Sequence, residues 1–246
     1  MKKPEEKPAY PHDFIAENIE ICEAVKPYTM TGITKINALV DAVRYVSKNK
    51  IAGAMVECGV WRGGSAMAMM LALKKAGDDE REFYLYDTYE GMSEPGKEDV
   101  SFRGDAASEK YSKTKAPAGP GSNWCNASIE DAKQNVASTG YATEKIAFVK
   151  GKVEDTIPAT IPQKIAILRL DTDWYESTRH ELVHLFPLLQ PGGVLLIDDY
   201  GYWKGSKKAV DEYISATGTQ IYLARIDHSC RIGIKAPSLM SIRRGK

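Results

Sequence analysis

Cysteine is scarce in this 246-residue chain: Cys22, Cys58, Cys125 and Cys230 lie far apart, with no Cys-x-x-Cys pair. That spacing excludes a zinc knuckle and a disulfide framework, and it suits a reduced, cytoplasmic setting. An excess of either charge is also lacking. Lys plus Arg number 33 and Asp plus Glu number 33, with no basic run, so the electrostatic footprint of a nucleic-acid or anionic-membrane partner is missing. No run of about 18 apolar residues occurs, and Met1–Pro11 holds charges and prolines rather than an apolar signal core. A soluble, non-exported chain is expected, with small molecules or protein as partners. Its length suits one α/β-sized domain with a real core.

Short apolar runs alternate with helical patterns, which is the pattern of βα units and a mostly parallel sheet. Strands are expected near Ala54–Cys58, Phe83–Tyr86, Ile146–Lys150, Ile165–Leu170 and Val194–Ile197. A helix at Ser206–Thr217 follows, then two β-like stretches, Ile221–Ile226 and Arg231–Lys235, close enough to form an antiparallel hairpin. The result is a seven-stranded, mostly parallel, Rossmann-like α/β sheet with a C-terminal antiparallel hairpin. Before the sheet, His12–Lys48 reads as helical, with Ile33, Ile36, Leu39, Val40 and Val43 at helical spacing. Residues 1–48 are therefore expected as an N-terminal helical cap on a main domain of residues 49–246. Residues 90–123 turn rich in Gly, Pro, Ser, Lys and Glu, least structured at Ala116–Ser122. This insertion reads either as a lid over a site or as a surface loop.

Three aspartates follow two of the apolar runs: Asp171 after Ile165–Leu170, and Asp198 with Asp199 after Val194–Ile197. Alone, each could cap a helix. If the two strands are parallel neighbours, the three carboxylates converge at the rim of the sheet. At about 4 Å and an effective dielectric near 20, each like-charge pair costs roughly 4 kcal/mol. Such a cluster calls for a cation, and an oxygen-only ligand set suits a hard ion such as magnesium, calcium or manganese. After the first strand, Glu57-Cys-Gly59-Val-Trp61-Arg-Gly-Gly-Ser65 forms a strand-to-helix turn whose glycines let backbone approach a ligand, although tight βα turns use glycine for packing too. Asp87 ends the second strand, where related sheets place an acid for ribose hydroxyls. Trp61 stands in the middle-glycine position of a dinucleotide loop, and Glu57 would repel a pyrophosphate. The cationic, phosphate-free S-adenosylmethionine fits better.

These residues resemble the macrocin-type, metal-dependent sugar O-methyltransferases of macrolide and aminocoumarin biosynthesis, which have the class I methyltransferase architecture. The resemblance spans about Tyr28 to Tyr213, through Tyr28–Thr31, Val56–Ser65, Tyr86–Gly91, Leu170–Thr178, Pro191–Gly193 and Ile197–Gly201. It implies methyl transfer from S-adenosylmethionine to a hydroxyl, usually on a sugar, with Mg2+ held at Asp171, Asp198 and Asp199 and Asp173 as general base. An ion on the hydroxyl oxygen favours loss of its proton; the alternative for Asp173 is a helix cap or support for a metal ligand. Glu57, Gly59, Trp61, Ser65, Asp87 and Thr88 are expected to hold the donor, with Met30 and Thr31 closing over it. Self-association is implied by resemblance alone. Lys152 stands where relatives often carry an acid, and Trp174 where catechol enzymes place a lysine, so a lysine base of that type is absent. Trp174, Tyr175 and Tyr202 could face a sugar ring or simply pack.

His180-Glu-Leu-Val-His184 matches a zinc-protease pattern. Leu182, Leu185, Phe186 and Leu189 form the buried stripe of that helix, which leaves the two histidines facing water without a third ligand. The remaining alternatives are a nicotinamide oxidoreductase on a similar sheet, and a non-catalytic protein that binds S-adenosylmethionine.

Overall fold

The computed structural model describes residues 10–117 and 121–237. Most of Met1–Pro11, residues 118–120 within the expected loose stretch, and 238–246 at the end of the main domain lie outside the described residues. Two helices, α1 (Ala16–Val25) and α2 (Ile33–Lys48), precede β1 (Ala54–Cys58), α3 (Gly64–Ala76) and β2 (Phe83–Asp87). Then come α4 (Ala107–Thr114), α5 (Ile129–Ala137), β3 (Ile146–Lys150), the short α6 (Val153–Thr156), β4 (Ile165–Leu170) and α7 (Tyr175–His184). The order closes with β5 (Leu189–Ile197), α8 (Lys204–Thr217), β6 (Ala224–Arg225) and β7 (Arg231–Ile234).

The seven strands lie in the order β3-β2-β1-β4-β5-β7-β6; β1 to β5 are parallel, and β7 runs antiparallel to β5 and β6. Every residue of β1 and β4 is buried, as expected for central strands covered on both faces. Two strands differ from expectation by more than one residue. β5 begins at Leu189 because Pro191-Gly-Gly193 is absorbed as a bulge: Leu189 faces Ile165 and Val194 faces Ile167. β6 shrinks to two residues because Ile221 and Leu223 lie over Gly233 and fill the space of its missing side chain; a Cβ there would meet both within 2.9 Å.

Helix α2 turns Ile36, Leu39, Val40, Val43 and Val46 inward, each at most 1% exposed, and each such side chain contributes roughly 1.5–3 kcal/mol. These residues, Val25 of α1 and Met55, Ile167 and Val194 of the sheet belong to one apolar cluster. The described part of the 90–123 insertion is tied down by its backbone. Phe102 N donates to Tyr202 O at 2.8 Å, Lys204 N to Val100 O at 2.9 Å and Ser122 N to Glu90 O at 2.8 Å.

Candidate functional site

Strand order reverses between β1 and β4, where open α/β sheets leave a crevice at their carboxyl ends. The residue after each strand hooks onto its neighbour. Gly59 N donates to Tyr86 O at 2.8 Å, Asp171 N to Cys58 O at 2.8 Å and Asp198 N to Leu170 O at 2.9 Å. Gly59, Asp171 and Asp198 thus form one row along the rim. Above it lies a cavity of about 230 Å³ lined by Met30, Thr31, Gly59, Trp61, Asp87, Thr88, Asp171, Asp173, Asp198 and Asp199. Glu57 and Ser65 do not line it. Glu57 is 1% exposed and lies below the row, and Ser65 is buried with its Oγ 3.5 Å from Thr31 Oγ1.

Gly59 has φ +87°, and a Cβ there would come within 2.0 Å of Asp171 O, so only glycine permits this approach of the β1 turn to the β4 end. Trp61 adopts the left-handed region at φ +49°, a strained setting for an aromatic residue. Asp87 clamps the turn: its Oδ2 accepts from Val60 N at 2.7 Å and Trp61 N at 2.8 Å, and its Oδ1 accepts from Tyr89 N at 2.7 Å. The carboxylate expected to face a ribose is therefore first a backbone anchor for the glycine turn.

The acids meet two cations. Arg169, 2% exposed next to the carboxyl end of β4, pairs through Nη1 with Glu57 and Asp171 and through Nη2 with Asp198, each at 2.7 Å. Lys35 reaches over from α2 to Asp198 Oδ2. Burial works against both cations, but the surrounding carboxylates outweigh it and hold both pKa values above their ordinary range. Negative charge is still in excess. One carboxylate oxygen each from Asp171, Asp173 and Asp199 lies within 4.8 Å of the others, and Asp199 Oδ2 is buried with no partner. This set differs from the expected trio in having Asp173 where Asp198 was placed, because Asp198 is turned to Arg169 and Lys35. Burial pushes the Asp173 carboxyl up to about 7, with Asp171's charge adding to it, and burial plus Asp173 raise Asp199. Burial also brings Glu57 to about 7 against the pull of Arg169. An orphaned carboxylate oxygen within an all-oxygen set fits a hard divalent cation.

Asp173 stands at φ +70°, and its Oδ2 accepts from Trp203 Nε1 at 3.0 Å. Trp203 packs edge-on against Trp174, with centroids 5.1 Å apart, and Trp124 lies beside both. Trp174 is 3% exposed and donates to Ser93 O at 3.0 Å, so it packs the insertion rather than facing a ligand. Tyr175 bonds Glu212 away from the cavity at 2.7 Å, and Tyr202 lines a separate cavity. Sequence reasoning did not single out Lys35, Arg169 or Cys125 near the cavity. Only Arg169 left a signal, as a lone charge inside an apolar strand.

The histidine pair differs from expectation. Its rings meet at a tilt of 48° with centroids 4.4 Å apart, both residues are half-buried, and His180 Nε2 meets Ile157 O at 2.9 Å. Glu181 between them is buried and accepts from Thr172 Oγ1 at 2.8 Å. Neither histidine belongs to a metal-capable cluster among the described residues. A larger groove of about 1290 Å³ lies at the opposite, amino-terminal ends of the strands. Three of its cations, Arg44, Lys75 and Arg81, are engaged by Glu17, Glu20 and Asp78. No helix among the described residues is long and apolar enough to cross a membrane.

Comparison with known proteins gives a consistent result. The family model described as Macrocin-O-methyltransferase (TylF) matches residues 23–232. A Streptomyces olivaceus relative, 8-demethyl-8-(2,3-dimethoxy-alpha-L-rhamnosyl)-tetracenomycin-C 4'-O-methyltransferase, is 32% identical over 200 residues, covering 81% of this chain and 72% of its own. The demethyldecarbamoylnovobiocin O-methyltransferase of Streptomyces niveus is 31% identical over 186 residues, covering 76% and 67%. Among solved structures, the O-methyltransferase NovP superposes with a TM-score of 0.73 at 28% identity, covering 85% of this chain and 83% of that one.

Proposed function

The chain belongs to the macrocin O-methyltransferase (TylF) family and is an S-adenosylmethionine-dependent O-methyltransferase, and on that premise we propose that it methylates a sugar hydroxyl of a natural product or glycan with the help of Mg2+. The observation that carries the reading is the convergence of Asp171, Asp173 and Asp199 within 4.8 Å beside the glycine turn, in one cavity. The nicotinamide oxidoreductase alternative is set aside by family membership. In keeping with the family, the protein is expected to self-associate, which light scattering tests, and to work in the cytoplasm.

S-adenosylmethionine supplies a methyl group on a positively charged sulfur, and Mg2+ supplies the charge that makes a bound hydroxyl more acidic. The turn at Gly59–Trp61, held by Asp87 and flanked by Thr88, cradles the donor; Met30 and Thr31 close over it and exclude water. Glu57 and Ser65 act from below, Glu57 by holding Arg169 and Ser65 by supporting Thr31. Asp171, Asp198 and Asp199 would hold the ion, and Asp198 is paired with Lys35 where no ion is bound. The Asp173 carboxylate, with Oδ2 pinned by Trp203, takes the hydroxyl proton as the oxygen receives the methyl group. The test is methyl transfer to a panel of glycosides, with Mg2+ and with chelator. Turnover of sugar hydroxyls that the chelator abolishes is expected, and full activity in chelator would remove the metal from the reading.

A pH effect follows from the raised carboxyls. Glu57 and Asp173, ordinarily at 4.5 and 3.8, stand at about 7 in the folded protein. The fold therefore keeps protons that the unfolded chain has released, so these two acids make metal-free stability fall as pH rises from about 4 through about 7. Holding an ion requires the ionised acids. The melting temperature gained on adding Mg2+ should thus be larger at about pH 8 than at about pH 5.5. Calorimetric scans check this, and a gain that is the same at both values would contradict it.

A further inference from the structure

We propose that the cavity on the far side of Trp203 is the acceptor's anion subsite and takes the diphosphate of a nucleoside-diphosphate sugar. This rests on methylation of a sugar hydroxyl and places that sugar on a nucleoside diphosphate, before its transfer to a natural product or glycan.

The cavity has a volume of about 460 Å³ and is bounded by Phe102 of the insertion, Tyr202 and Lys204 at the start of α8, and Arg225 and Arg231 of the terminal hairpin. That volume is within the range of small-molecule sites, roughly 300–1,000 Å³. No carboxylate lines it. Arg231 is only 9% exposed, yet its guanidinium donates to main-chain oxygens alone, to Cys230 O at 2.9 Å and weakly to Asp227 O at 3.5 Å. A buried guanidinium is costly unless an anion meets it. The other deeply buried arginine, Arg169, is met by three carboxylates. Arg225 and Lys204 also have no ion pair among the described residues, whereas Lys207 is engaged by Asp211. Arg231, whose guanidinium also lies over the Tyr200 ring at 5.1 Å, and the exposed Arg225 and Lys204 bring three positive charges without a carboxylate partner among the described residues. These match a diphosphate better than a single carboxylate, and the planar guanidinium fork matches phosphate oxygens.

Two features link this cavity to the chemistry. Trp203 connects them: its Nε1 donates to Asp173 Oδ2 at 3.0 Å, and the residue borders the cationic cavity. A sugar that presents a hydroxyl to Asp173 would have to extend past Trp203 for its anomeric substituent to enter the cationic cavity. Beyond the cations, Phe102 is 50% exposed, meets Tyr202 edge-on at 5.5 Å and has Arg103 over one face at 5.2 Å, so a base can stack only on its other face.

The test is titration calorimetry on the intact chain, first with S-adenosylhomocysteine and then, on that complex, with UDP and dTDP, using pyrophosphate and glucuronate as comparisons. A nucleoside diphosphate should bind more tightly than pyrophosphate. Arg231→Met, and separately the paired exposed changes Arg225→Ala and Lys204→Ala, should each weaken it by about tenfold or more with S-adenosylhomocysteine affinity unchanged. The exposed pair keeps the test decisive should Arg231→Met, within β7, fail to fold. No binding of either nucleoside diphosphate while S-adenosylhomocysteine binds normally would overturn this proposal alone. Equal affinity in the exposed pair, or preference for glucuronate, would do the same. Failure to bind S-adenosylhomocysteine would overturn the methyl-transfer reading and this one with it.

Discussion

Replacing Asp199 by Asn is expected to slow methyl transfer about a thousandfold, roughly 4 kcal/mol of transition-state stabilisation, while raising the melting temperature in metal-free buffer. Asp199 has a buried oxygen without a partner, and its carboxyl is raised by burial and by Asp173. An amide of the same shape removes one negative charge from the set and can donate to Asp173, so the metal-free fold gains. The proposed ion, however, loses a charged ligand, and the acceptor hydroxyl loses its activation. Steady-state rates with and without Mg2+, together with melting curves in chelator, measure both halves. A variant as active as the parent would exclude Asp199 from the chemistry. A fall in metal-free melting temperature would mean that the acid cluster is not under repulsion.

The second large effect belongs to Arg169. Changing it to Met should lower stability by about 3–5 kcal/mol, the usual consequence of removing one partner from a buried ionic network. Glu57 and Asp171 rely on this one guanidinium for their ion pairs, Asp198 shares it with Lys35, and Glu57 is almost fully buried. Methionine fills much of the space but leaves these acids to repel each other or take up protons. Adding Glu57→Gln should recover part of the loss, since the deepest acid is then neutral; the coupling is read by denaturant unfolding of the two single variants and the double. Losses that simply add would show that Glu57 and Arg169 are not energetically linked.

Much of the architecture was legible because its signals are local. Ala54–Cys58, Ile146–Lys150 and Ile165–Leu170 are apolar runs bounded by polar residues, and they form strands with those limits. Aspartates that directly follow such runs must sit at the sheet rim, so the convergence of acids could be read from position. What could not be read depends on distant partners. A lone arginine in β4 indicates a buried charge, but not that it answers to Glu57, 112 residues away, and to Asp198, 29 residues away. Lys35 belongs to a helix whose apolar stripe accounts for the fold, and nothing in that stripe places its ammonium on Asp198. Likewise, three tryptophans from separate segments pack together only once the insertion is laid against α8. The spacing of His180 and His184 gave their common helix face, but not the loop carbonyl of Ile157 that covers His180.

The contact between Lys35 and Asp198 makes affinity for a cation a difference rather than an absolute. Any ion arriving at Asp198 displaces a competitor already seated there and tethered to the amino-terminal helices. Such an ion would have to free the Lys35 side chain, while helix α2 stays seated through its apolar stripe.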